Sequence, residues 1–165
     1  METIKVKDSR LSSIIALYDM QTGFLLSALD GISDEDSNNR LQTKANHVAW
    51  LTGSLVQQRF ELAKDLGIEK KQAAYDLFKD NKGIQDGVTY PSLTQFKKDW
   101  EAISPELRDK LVNAGEEQLN KQLDMGGMKM TFYELLTFCI YREANCIGQV
   151  ALWRRLMGYD AMKYM

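Results

Sequence analysis

The stretch Thr131–Gly158, TFYELLTFCIYREANCIGQVALWRRLMG, decides the fold. Thr131 followed three residues later by Glu134 is a capping-box pattern, in which each side chain satisfies a free amide of a helix start. Phe132, Leu135, Leu136, Cys139, Ile140, Ile147, Val150, Trp153 and Leu156 then recur at helical spacing. Gly158 supplies the stop, since a residue without Cβ enters the left-handed region most easily. The spacing predicts a long helix from Thr131 to about Met157, apolar on several faces and therefore central or at a subunit contact.

Three more helices follow from the same reasoning. Asp8-Ser9 offers a cap for a first helix over about 9–29, carried by Leu11, Ile14, Ile15, Tyr18, Leu25 and Leu29. The polar run 31–39 reads as a loop or a short irregular turn. Leu41, Ala45, Val48, Leu51, Leu55, Val56 and Phe60 predict a second helix from Asn39 to Leu66, closed by Gly67. Residues 68–90 are mixed in character and read as a long loop or short helical connection, in which Tyr75-Asp76-Leu77-Phe78 tucks an aromatic pair under the bundle and Lys79–Gly87 is a loop by composition. Ser92 with Gln95 caps a third helix, with Leu93, Phe96, Trp100 and Ile103 on one face. Pro105 lacks an N–H and is expected to kink or break it. Met125-Gly126-Gly127-Met128 is a turn between helices, whose free amides could alternatively meet an anion. No convincing strand is visible. The expectation is a single domain over 1–165, an all-α four-helix bundle with a long connection between its second and third helices.

Composition narrows the function classes. The chain has 165 residues with 21 basic and 23 acidic side chains, so no basic excess points to nucleic acid. No apolar run reaches the ~18 residues of a membrane span. Met1–Asp8 alternates charged and apolar residues, unlike a secretory signal. Cys139 and Cys146, seven residues apart on one helix, stand about 10 Å apart and cannot form a disulfide with each other. Two free thiols suit a reducing cytoplasm. Phosphate loops, CxxC, HExxH and GxSxG patterns are absent from the sequence.

The chemistry-bearing residues gather on two helices. His47, the only histidine, lies on the second with Ser54 beyond it; Arg142, Glu143, Cys146 and Gln149 lie on the fourth. Facing helices can focus these six into one pocket. His47 and Cys146, with a carboxylate such as Glu143, are conceivable zinc ligands. A lone buried histidine is more often hydrogen-bonded than ligating, and a guanidinium beside it repels a cation.

Two segments carry a family resemblance. They are Asn46–Val56, followed by Arg59 and Leu66-Gly67, and Arg142–Val150, followed by Leu152, Arg154-Arg155 and Gly158. Together with the loop Gly31–Asp36 they resemble the DinB-like superfamily of four-helix proteins, most specifically at Ile147-Gly148-Gln149. The resemblance implies a bundle with three histidines around a divalent metal, zinc or nickel, one on the second helix and two on the fourth. Some relatives are thiol-dependent transferases or isomerases. The fourth-helix ligand positions fall on Arg142 and Cys146, and the second-helix position on His47 or Ser54. The implied protein is a cytoplasmic relative without the metal or any other cofactor, retaining a small-molecule pocket lined by His47, Ser54, Arg142, Glu143, Cys146 and Gln149. Arg142 favours a small anion there, because a guanidinium offers two parallel donors to a carboxylate or phosphate. The alternatives are a metal- or thiol-dependent transferase or hydrolase with His47 as base and Cys146 as ligand or nucleophile, and a non-catalytic homodimer joined through apolar helix faces.

Overall fold

Thr131 does cap the longest helix. Its hydroxyl accepts from the Glu134 amide at 3.1 Å, and the Glu134 carboxylate accepts from the Thr131 amide at 2.7 Å. The computed structural model describes residues 5–164. Its elements are α1 (Leu11–Leu29), α2 (Asp34–Ser37), α3 (Val48–Asp65), α4 (Tyr75–Phe78) with a 3-10 turn at Lys79–Asn81, α5 (Leu93–Val112), α6 (Glu116–Asn120), β1 (Gln122–Asp124), β2 (Lys129–Thr131) and α7 (Phe132–Leu156). Met1–Ile4, part of the amino-terminal alternation read above, lie outside the described residues.

Each of α1 and α3 packs against both α5 and α7. Inter-helix hydrogen bonds give the directions. Tyr18 donates to the Ser104 carbonyl and Trp100 to the Thr22 carbonyl, so α1 and α5 run in opposite senses. Gln21 reaches the Ile140 carbonyl and Arg154 the Ala28 carbonyl, so α1 and α7 run in the same sense. Gln58 reaches the Cys139 carbonyl and Trp153 the Asn46 carbonyl, so α3 opposes α7. The order is up, down, down, up. Two successive parallel helices, α3 and α5, need a connection that returns along the bundle, and residues 66–92 supply it.

That connection is pinned to α3 at Gly53. Gln72 donates to the Gly53 carbonyl, and the Phe78 ring lies over the glycine so closely that a Cβ there would stand 2.2 Å from its Cζ. The core fills the space between the four long helices; Leu11, Ile15, Leu25, Leu55, Trp100 and Phe132 are among its fully buried side chains. Each such aliphatic side chain contributes about 1.5–3 kcal/mol.

Several expectations are corrected. The second long helix begins at Val48, not Asn39. Leu41 and Gln42 have φ of +47° and +59°, a left-handed backbone that cannot continue a right-handed helix. Arg40 folds this loop by donating to the Ala45 carbonyl and to Asp86. The 31–39 run does hold a short turn, the single turn α2, capped by Ser33. Asp8 accepts from the Arg10 amide ahead of α1 without capping the helix itself. Pro105 does not break α5, which runs through it; Pro105 and Glu101, one turn earlier, are both exposed, on the side of the helix where a missing hydrogen bond costs least. Ser92 caps α5, but the Gln95 side chain turns to Asp99 rather than back to the cap. Met125–Met128 closes a small antiparallel hairpin, β1 with β2, where no strand was expected. The Gly127 amide there already donates to Asp124. Arg154 ties α7 to the end of α1, donating to the carbonyl of Ala28 and to that of Asp30 just beyond the helix.

Candidate functional site

Adjacent residues on α7 point two ways, because successive helical positions turn by about 100°. Glu143 points into the bundle. Its carboxylate takes two parallel hydrogen bonds from Arg59 of α3, both 2.8 Å long. The same guanidinium donates to Thr22 Oγ1 of α1 and Ser104 Oγ of α5, each at 2.7 Å. Its plane lies between the Trp100 ring, 3.5 Å from the centroid, and the Tyr18 ring, 3.9 Å away. All four long helices therefore meet at one charge. Arg59 is 0% and Glu143 1% exposed, and every charged atom has a partner. Burial raises the Tyr18 phenol above its ordinary value, so it stays a donor to Ser104.

Arg142 points outward, to a cleft of about 250 Å³ between α3, α7 and the crossover connection. Its two terminal nitrogens donate to Ser54 Oγ at 2.6 Å and Gln58 Oε1 at 3.0 Å. Both acceptors are neutral. Among the described residues no carboxylate lies within salt-bridge distance of it. Trp50, Phe78, Leu135 and Phe138 give the cleft apolar walls, and Asn81, Lys82 and Glu61 line its polar edge. Trp50 Nε1 is a buried donor with no partner among the described residues. A positive group with unused donor capacity, set among aromatic walls, is the arrangement that receives a flat organic anion.

Of the six sequence-predicted pocket residues, the structure brings Ser54 and Arg142 together at this cleft. Glu143 belongs to the buried ion pair instead. His47 sits one turn before Leu51 as the cap of α3. Its Nδ1 accepts from the Trp50 amide at 3.1 Å, and its ring meets Tyr90 edge-on. Burial, and then the Arg40 charge, hold its pKa below the ordinary 6.5. Gln149 is exposed and bonds Asn145. Cys146 is 6% exposed; burial raises its thiol pKa, and the opposing pull of Arg142 is the smaller influence. Burial also pushes Cys139 up to about 12. Neither thiol is activated as a nucleophile, which needs a depressed pKa.

The same geometry tests the metal that the resemblance implies. Of the four positions, Arg142 is a cation held by Ser54, and His47 has one ring nitrogen committed to a helix cap. Among the described residues no three His, Cys, Asp or Glu side chains are grouped to hold an ion. The donor set does not fit a three-histidine divalent site. Gln58, Trp50, Phe78 and Phe138 were not singled out from sequence as cleft residues. Gln58 and Phe138 had a usable signal: each lies four residues from a singled-out position, Ser54 and Arg142, and so shares its helix face.

Among the described residues no helix is long and apolar enough to cross a membrane. No protein-family model matches the chain, and no curated protein matches it.

Proposed function

We propose that this protein is a DinB-like, cytoplasmic helical bundle that binds a small organic anion in the α3–α7 cleft and holds no divalent metal at the positions of His47, Ser54, Arg142 and Cys146. One observation carries the reading: among the described residues the Arg142 guanidinium has Ser54 and Gln58 alone as partners, both neutral, at the mouth of an aromatic-walled cleft. A hydrogen bond to a charged group is worth about 1.5–3 kcal/mol, which corresponds to roughly ten- to a hundredfold in affinity. Titration with a panel of aryl and alkyl carboxylates, each beside its neutral amide, tests it. The carboxylates bind more tightly than the amides by about tenfold, and Arg142→Met removes the difference. Equal binding of acids and amides, or an undiminished preference in the variant, overturns the anion site. Stoichiometric zinc or nickel in protein purified without an affinity tag, lost in Cys146→Ala, overturns the metal-free part.

A second observation favours self-association. Phe138, Tyr141, Leu152 and Leu156 are all more than half exposed along α7. A homodimer through this face covers them, and light scattering that finds a monomer with and without Tyr141→Asp removes that role.

A further inference from the structure

Three of the eight methionines fall within six residues, Met125, Met128 and Met130, and the hairpin register decides where they point. Leu123 pairs with Met130 and Asp124 with Lys129. The Met125 amide donates to the Met128 carbonyl at 2.9 Å, which extends the pairing by one step to the Gly126-Gly127 turn. Both glycines have positive φ, +73° and +97°, as a two-residue hairpin turn requires. Side chains alternate faces along a strand. Asp124 and Lys129 therefore share one face, while Leu123, Met125, Met128 and Met130 share the other. Leu123 packs on the core, so the methionine face looks towards the body of the protein. Met125 also lines the Arg142 cleft.

Directly opposed residues have Cβ atoms about 4.5–5.5 Å apart, and diagonal ones about 7–8 Å, within reach of long flexible side chains. Three unbranched thioethers can thus bring their sulfurs to one point. Met125 is 49% and Met128 62% exposed and Met130 is half-buried, so these side chains are not absorbed into the core. Thioether sulfur is a soft, neutral ligand that selects Cu(I) over the hard divalent ions. It has no proton to lose, so the raised thiol pKa values nearby do not hinder it.

We propose that the β1–β2 hairpin is a three-thioether site for a soft monovalent cation, Cu(I), formed by Met125, Met128 and Met130. It borders the Arg142 cleft through Met125 but takes no ligand from the degenerate divalent positions on α3 and α7, and it does not depend on the anion reading. Silver(I), the air-stable equivalent, is the probe. Full-length protein with 13C-methyl methionines is titrated with silver in a Cys139→Ala/Cys146→Ala background, so that thiols do not compete; folding of that background is checked by circular dichroism. If it does not fold, the same titration is made on the wild-type chain and read at the methyl signals. The Met125, Met128 and Met130 methyls move together and saturate near one equivalent, while those of Met20 and Met162 stay. Met125→Leu/Met128→Leu keeps the apolar volume and weakens silver binding at least tenfold. The site is overturned if the three methyls stay still while silver is bound, if no silver binds, or if the double variant binds within twofold of its parent. The last two results leave an adaptable apolar lip to the cleft as the role of these methionines.

Discussion

Two arginines facing α7 and α3 across the same interface have opposite surroundings. Arg59 has a bidentate carboxylate, two hydroxyls and two aromatic faces, and no exposure. Arg142, reaching the other way from the residue next to Glu143, has one hydroxyl and one amide oxygen. A buried charge is tolerated only when each of its donors is met, because an unpaired one costs several kcal/mol. Arg59 is therefore architecture, a knot that ties α1, α3, α5 and α7. Arg142 stands where water or a ligand completes its shell. The degree of satisfaction, rather than the residue type, separates structure from function here.

The largest effect tests the knot. Glu143→Gln leaves a buried guanidinium without its counter-charge and costs about 3–5 kcal/mol, read as a fall in the urea midpoint at constant slope. The double replacement Arg59→Met/Glu143→Leu removes both charges and loses less than the two single replacements together. Additive losses break the comparison, since they mean that the two charges do not depend on each other.

Gly53→Ala comes next. The Phe78 ring has no flexible end to move, so the added methyl displaces α4 from α3, at about 1–3 kcal/mol for overpacking. Because Phe78 is a cleft wall, carboxylate binding falls as well. A stable variant with a changed cleft sharpens the contrast between the two arginines, because the knot at Arg59 is left untouched.

A smaller effect comes from His47. Its pKa is lowered in the folded chain, so between that value and 6.5 the unfolded chain binds more protons. Stability from this group is present above pH 6.5 and falls as the pH drops below it. His47→Asn keeps a side chain that caps helices well. The variant loses less stability than wild type between pH 7.5 and 5.5; an equal loss in both removes His47 as the cause.

Local signals were legible wherever a residue acts on its own neighbourhood. Thr131 with Glu134, Ser92, Gly67 and Gly158 mark real element ends because capping is settled within one turn. Leu41 and Ala45 misled because apolar spacing alone cannot register that Arg40 satisfies the carbonyls of Lys44 and Ala45 and so competes with the helix. The hairpin was hidden because three-residue strands carry almost no periodic signal. In the candidate site, Ser54 and Arg142 were recoverable from their helix faces. The partner of Glu143 was not, because Arg59 lies 84 positions away and a pair that distant leaves no mark on local spacing.

The smallest stability change is expected at Arg142 itself. Its hydrogen bonds are part-buried, so water replaces the guanidinium at Ser54 and Gln58 when Arg142→Met is made, and the methionine keeps contact with the apolar wall. The expected cost is about 0.5–1.5 kcal/mol, that of an ordinary hydrogen bond, because water takes over at both Ser54 and Gln58. The same replacement abolishes the preference for carboxylates over amides. A loss approaching that of Glu143→Gln places Arg142 in the architecture with Arg59, and the anion reading then loses the free charge on which it stands.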